Sequence, residues 1–170
     1  MIYLTYFVHG TSVHNEKKIV AGWEGSELSK LGEIQAKKLD RLTKNKDFKI
    51  IISSDLKRAF DTPLIAFSSK QKIVQDKRLR EINVGVYTNS KVSDFKKIMN
   101  NHIDIPFPLG ESYKNVEERI SSSIELLKQN YQNSHIAVVS HNAPQLALEV
   151  LINQKSWFEA FDSDWRNTGY

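Results

Sequence analysis

IYLTYFVHG, residues 2–10, carries seven apolar, β-branched or aromatic residues into a histidine and a glycine. A run of that length and type reads as a buried strand, and the break at His9 and Gly10 places a polar loop directly at its carboxyl end. The same arrangement recurs three times. Lys49 to Ile52 leads into Ser53, Ser54 and Asp55, the short run at Ile73 to Val74 precedes Leu79, Arg80, Glu81 and Gly85, and Ile136 to Val139 leads into Ser140, His141 and Asn142. Helices are predicted between these runs. Leu28, Leu31, Gln35, Leu39 and Leu42 form one stripe, with Ser29 as the cap and Gly32 as a local weakness. Leu56 to Phe67 reads as a second helix kinked by Pro63. Val92 to Asn101 reads as a third, amphipathic through Phe95, Ile98 and Met99, and Asn115 to Tyr131 as a fourth, through Val116, Ile120, Ile124 and Leu127. The last runs from Ala143 to Ile152, with Asn142 capping it and Pro144 in its first turn.

Alternating short strands and helices predict an α/β fold, a three-layer α/β/α sandwich around a mostly parallel central sheet. In such sheets ligands bind beyond the carboxyl ends of the strands. The chain of 170 residues shows no internal repeat and no linker rich in Pro, Gly or Ser, so residues 1–170 are read as one domain. With no cysteine, disulfide scaffolds, thiolate zinc sites and every cysteine-nucleophile mechanism are excluded, the cysteine-dependent phosphatases among them. The first residues lack a basic stretch and a small-residue cleavage site, and no apolar run approaches the roughly 18 residues of a membrane span. A cytoplasmic protein is expected, with no membrane partner. Its 24 Lys and Arg are scattered among 20 acids, which supports a weak preference for anionic ligands but no nucleic-acid partner.

The loops after the strands would bring together two histidines, an arginine, a glutamate and several amide or hydroxyl donors. That set suits phosphoryl transfer through histidine. A phosphate monoester is dianionic, and Arg58, a protonated His141, Asn15 and helix N-termini would surround its oxygens with charge and donors. A neutral His9 imidazole would attack phosphorus in line with the leaving oxygen, and Glu81 would protonate that oxygen and later deprotonate a water. No metal and no cofactor is called for. Each residue also has a plainer reading: His9 and His141 as turn or core histidines, Arg58 as a surface helix arginine, Glu81 as an ion-pair partner of Arg58 or Arg80. Ser140 next to His141 invites a serine-hydrolase reading, set aside because adjacent strand-end residues point apart and no Gly-x-Ser-x-Gly elbow is present. Asp162, Ser163 and Asp164 sit in the tail and read as solvated.

The strings FVHGTSVHNE, SSDLKRAFDT, LREINVG, PLGES and VVSHN, in that order, resemble the histidine phosphatase superfamily, the phosphoglycerate mutase-like family. GWEGSELSKLGEIQA is similar to that family's first-helix region, so the resemblance extends over nearly the whole chain. It implies a phosphohistidine intermediate on His9, Glu81 as proton donor, and phosphate contacts from Arg58, His141 and Asn15. Gly10, Thr11, Ser12 and Asn142 are the further phosphate-binding candidates. Three departures stand out. The family's usual Arg-His-Gly is Val8-His9-Gly10 here, and loss of one charge-assisted contact to the anion costs roughly 1.5 to 3 kcal/mol, about ten- to a hundredfold in affinity or rate. A donor from His14, Lys17, Thr11 or Ser12 is expected to fill that space. The glycine usual after the second histidine is Asn142, and the stretch Trp165 to Gly169, which leads into a final strand in relatives, ends at Tyr170.

The family holds phosphatases and mutases. Only about sixty residues separate Glu81 from His141, leaving room for one short covering segment, residues 88–115, with Phe95 and the Pro106 to Gly110 stretch over the pocket. A thin cover admits water, and a phosphohistidine that meets water hydrolyses. The expected function is hydrolysis of a small phosphorylated metabolite, with mutase-type phosphoryl transfer second. A phospho-ligand-binding module weakened by Val8 is the alternative outside enzymes, and a homodimer is compatible with all three.

Overall fold

The computed structural model describes residues 1–67 and 71–162. Four strands, β1 (Tyr3–Val8), β2 (Ile50–Ser53), β3 (Ile73–Gln75) and β4 (His135–Ser140), form one sheet in the order β1-β4-β2-β3, every pairing parallel. Seven α-helices accompany them among the described residues: α1 (Val13–Glu16), α2 (Lys30–Thr43), α3 (Lys57–Ala66), α4 (Val92–Ile98), α5 (Tyr113–Asn130), α6 (Asn142–Asn153) and α7 (Trp157–Asp162). None is long and apolar enough to cross a membrane.

Alternation along the strands explains the layers, because successive side chains in a strand leave opposite faces. Ile50, Ile52, Ile136 and Val138 pack with Val116 and Ile120 of α5 and Leu146 of α6 in the larger core. Ile51, Ala137 and Val139 face the other way, into a smaller core with Phe48, Ala66 and Phe67 and with Leu39 of α2. The sheet is therefore covered on both sides, and the predicted α/β/α sandwich is the observed fold.

Local details depart from the prediction where tertiary contacts overrule the pattern. Ser29 caps α2 by accepting from the Gly32 N–H. The buried face of that helix, however, carries Gly32, Ala36 and Thr43, whereas Leu31 and Leu42 of the predicted stripe are exposed. Gly32 is the point of closest approach. A Cβ there would stand 2.1 Å from the Thr11 carbonyl oxygen, so only glycine lets α2 lie against the loop after β1. Pro63 lies inside α3, where it cannot donate to the Ala59 carbonyl; the Ser53 hydroxyl, 2.9 Å away, donates there instead. Helix α6, predicted as the last, starts one residue before its predicted limit and is followed by the unpredicted α7. His141, with extended backbone, occupies the cap position, and Asn142 is already helical. Ser163, Asp164 and the Trp165 to Gly169 stretch lie outside the described residues.

Topology positions the site. Val8 pairs with Ser140, and Ser53 with Val139, so β1, β4 and β2 end side by side. The chain returns from the far side of the sheet to insert β4 between β1 and β2, and a crevice opens where the crossovers diverge. His9, Ser54 and His141 are the first residues beyond those three ends.

Candidate active site

His9 is held at both ring nitrogens. Its Nδ1 lies 2.7 Å from the Gly10 carbonyl oxygen, and its Nε2 lies 3.2 Å from Arg58 Nε. A carbonyl can only accept and a guanidinium can only donate, so Nδ1 carries the proton and Nε2 carries the lone pair. That is the tautomer a nucleophilic imidazole needs. The Gly10 loop is fixed in turn by its N–H donating to Thr62 Oγ at 3.0 Å, and Thr62 donates to the Arg58 carbonyl.

Arg58 enters from the second position of α3 and is only 3% exposed. Its Nη1 and Nη2 donate to the Glu24 and Gly22 carbonyls at 3.2 and 2.8 Å. It makes no salt bridge among the described residues, and burial pushes its guanidinium below the ordinary arginine range. Glu81 in the same cleft attracts it without a direct bond, and a buried cation so placed marks where an anion would be welcome.

His141 sits behind His9, fully buried, with the two ring centroids 5.0 Å apart. Its Nε2 is 2.9 Å from Ser54 Oγ, and its buried Nδ1 has no partner. Burial, reinforced by Arg58, His9 and Arg119, holds it well below the usual histidine range. The ring is thus neutral at pH 7, contrary to the protonated His141 expected from sequence. The Ser140 hydroxyl donates to the Leu79 carbonyl, away from His141, and Tyr6 Oη donates to the His141 carbonyl at 2.7 Å.

Glu81 takes a position that its sequence neighbours do not reveal. Its carboxylate accepts from its neighbour Ile82 N–H at 2.9 Å and, across the cleft, from Asn142 N–H at 3.2 Å and Ala143 N–H at 3.0 Å. It therefore caps α6 in place of the predicted Asn142 side chain, satisfying two of the orphan donors at that N-terminus. Arg80 is not its partner; that guanidinium grips Asp55 through two bonds of 2.7 and 2.6 Å and lies over the Trp23 ring.

The cleft, about 360 Å³, is lined at this end by His9, Asn15, Arg58, Glu81 and Asn142. Asn15 has its amide oxygen occupied by the Ser12 N–H and hydroxyl at 2.9 Å, which turns its NH2 outward as a donor. Gly10 and Thr11 lie on a second cavity of about 650 Å³, which also reaches His9, Glu81 and Asn142 and is walled by Val8 and Lys38. The Thr11 N–H is taken by Gln35. Ser12 is buried as the cap of α1, and His14 is bonded to Ser26 and Asn89. Of the residues expected to stand in for the absent arginine, Thr11 lines the second cavity beside Val8 and His9, whereas Ser12, His14 and Lys17 line neither cavity. No group of His, Asp and Glu suited to a metal ion occurs among the described residues. Asp162, read as a solvated tail residue, is exposed but lies on the cleft wall.

Sequence reading missed the clamp behind Glu81. Arg119 of α5 donates to both carboxylate oxygens of Glu111, at 2.9 and 3.2 Å, and to the carbonyls of Arg78, Arg80 and Glu81 at 2.5, 2.7 and 3.1 Å. Glu111 also accepts from Asn83 N–H, and Trp23 Nε1 donates to the Glu81 carbonyl at 2.6 Å. Gly85, with φ of +52°, lies so near Pro108 that a Cβ would stand 1.9 Å from its carbonyl oxygen. The only sequence signal was Glu111 within PLGES; nothing in the local pattern points from Arg119 to residue 81.

The model of the histidine phosphatase superfamily (branch 1) matches residues 6–169. A protein of Hydrogenobacter thermophilus named "Putative phosphoserine phosphatase 2" is 34% identical over 154 residues, 85% of this chain and 75% of its own length. The Shigella dysenteriae protein named "Probable phosphoglycerate mutase GpmB" is 29% identical over 161 residues, 89% of this chain and 75% of its own. Among solved structures, Bacillus stearothermophilus YhfR superposes with a TM-score of 0.84 at 21% identity, covering 94% of this chain and 84% of that one. A mycobacterial glucosyl-3-phosphoglycerate phosphatase complexed with VO3 gives 0.82 at 22% identity, covering 91% and 83%. These structures share the fold. With its two histidines, arginine and glutamate gathered at the carboxyl edge of a parallel sheet, and with the family model matched over nearly its whole length, the chain belongs to the histidine phosphatase superfamily, whose members here are phosphatases and mutases.

Proposed function

We propose that the protein hydrolyses small phosphate monoesters through a phosphohistidine on His9 Nε2, without a metal. The observation that carries this reading is the doubly held His9 ring, its lone pair facing the Arg58 guanidinium. Arg58 turns its Nε–H from His9 to a phosphate oxygen when the dianion enters, and the buried guanidinium gains an anion in direct contact. Asn15 adds its outward NH2. His141 stays neutral behind His9, packed against its ring and held by Ser54. His9 Nε2 attacks phosphorus as the P–O bond to the alcohol breaks, and the leaving oxygen takes a proton carried by Glu81. Water then attacks, Glu81 receives its proton, and the P–N bond breaks to release phosphate and neutral His9. Gly10, Thr11 and Ser12 act by fixing the His9 and Asn15 backbone, and Asn142 by presenting its N–H to Glu81.

Hydrolysis ranks above mutase transfer because the cover is thin. Over residues 88–115, one short helix, α4, and a single 3-10 turn at Met99–His102 supply the side chains above the cleft, with Phe95, Lys96 and Asn100 on its wall. Water reaches a phosphohistidine beneath such a cover. In this reading the protein is cytoplasmic and its partner is a small phosphorylated metabolite. Phosphate release from an aryl phosphate in the presence of a chelator, wild type against His9→Ala, tests it. Turnover that survives chelation and vanishes in the variant is expected. Turnover that persists in His9→Ala overturns the mechanism, and phosphate binding without any phosphoenzyme favours a binding module.

A further inference from the structure

Beyond the phosphate end the cleft changes character. Val20, Val92, Phe95, Met99, Leu146 and Phe161 line it, contributed by the loop after α1, by α4 and the turn that follows, and by α6 and α7. Lys96 is the single lysine on this wall, and Asp162 stands on the same wall with the opposite charge. Asn100 and Tyr113 are the neutral polar side chains at this end among the described residues. The bottom of the cleft thus joins the Arg58 cation to the Glu81 carboxylate and several donors, and the rest is a concave, mainly apolar surface.

Resting on the phosphate site assigned above, we infer that the alcohol part of the substrate is apolar and uncharged, an aromatic or branched hydrocarbon group of compact size. Three arguments converge. A volume of about 360 Å³ holds a phosphate together with a group about the size of a benzene ring, near the lower end for small-molecule sites. A second anionic group on the substrate would need a second cation, and Lys96, the single lysine on this wall, is exposed and shares the wall with the Asp162 carboxylate. A polyhydroxylated group would bring several hydroxyls to a wall where Asn100 and Tyr113 are the neutral polar side chains, and each one left unpaired in an apolar cleft costs about tenfold or more in binding. An apolar ring meets only favourable contacts there, and its burial is worth about ten- to a hundredfold.

The test compares benzyl phosphate, glycerol 1-phosphate, glucose 6-phosphate and 3-phosphoglycerate. All four are esters of primary alcohols, so differences in leaving-group reactivity are small and recognition dominates kcat/KM. Benzyl phosphate is expected to lead by about ten- to a hundredfold, mainly through KM. Met99→Lys should narrow that lead by lowering kcat/KM for benzyl phosphate and raising it for 3-phosphoglycerate, whereas Met99→Leu keeps it. Binding of benzylphosphonate and 3-phosphonopropionate to the wild-type protein, by calorimetry, gives the same comparison without turnover. Equal kcat/KM across the esters, or tighter binding of 3-phosphonopropionate, overturns this inference and leaves hydrolysis standing. Absence of turnover on every ester, with benzylphosphonate still preferred, overturns hydrolysis and leaves the apolar selectivity in place.

Discussion

Replacing Arg119 with methionine removes the group that ties α5 to the loop carrying Glu81. The guanidinium is 14% exposed and its partner Glu111 17%, so the pair is largely shielded from water. Methionine keeps much of the side-chain volume but leaves the Arg78 and Arg80 carbonyls without their donor, the Glu81 carbonyl with Trp23 alone and the Glu111 carboxylate with the Asn83 N–H. Stripping one partner from a buried charged pair costs about 3 to 5 kcal/mol, far less than the sum of five separate bonds because they share one guanidinium. For a domain of this size each kcal/mol moves Tm by about 2–4 °C, so a fall of about 6–20 °C is expected in a thermal melt. Catalysis should suffer separately. Once the loop relaxes, Glu81 drifts from the α6 N-terminus, and a displacement of about 1 Å costs roughly a hundredfold in kcat. KM should hold, because Arg58 and Asn15 are untouched. Arg119→Lys restores charge without the planar fork and should recover less than half of either loss. The assay pairs thermal unfolding with steady-state phosphate release at a temperature where the variant is folded. A variant that melts within about 2 °C of wild type with unchanged kcat would refute the clamp.

Three further outcomes follow from the same geometry. Arg58→Met should lower activity at least a hundredfold and also lower Tm, since the Gly22 and Glu24 carbonyls lose their donor; activity within a few-fold of wild type would show that the guanidinium does not hold the phosphate. His141 is buried neutral and its folded pKa lies below the ordinary 6.5, so between those two values the unfolded chain binds a proton that the native protein does not. Its contribution is complete above about pH 6.5 and is lost as pH falls, by about 1.4 kcal/mol per unit down to the folded value; melts from pH 7.5 to 5.5 should show that slope in wild type and lose it in His141→Asn. Val8→Arg places a cation on the second cavity beside His9 and should raise kcat/KM on a generic ester about ten- to a hundredfold; no gain would mean that Val8 is not what limits turnover.

Much of the architecture was legible because it rests on local periodicity. Four short runs of β-branched and apolar residues became four parallel strands, and the polar residues immediately after them stand together at one edge of the sheet. His9, Asn15, Arg58, Glu81 and Asn142 meet in one cleft, as their positions after strands and at helix starts had suggested. Ser12 followed the same logic and was placed elsewhere, because a hydroxyl in a tight loop first satisfies its own backbone.

What could not be read locally was every feature set by a partner distant in sequence. The apolar stripe of α2 was visible, but the loop after β1 chose the face of Gly32 and Ala36, where small residues admit close packing. The cap of α6 comes from Glu81, sixty-one and sixty-two residues before the N–H groups it accepts. The clamp from Arg119, the neutral state of His141 and the apolar wall of the cleft likewise depend on burial and on contacts between separate elements. The sequence by itself determined the alternation of elements and the chemistry offered at their ends. Only the tertiary structure decided which of those groups are desolvated, which are already bonded, and which face the cleft, because local patterning records polarity along the chain while desolvation and hydrogen bonding depend on what packs against it.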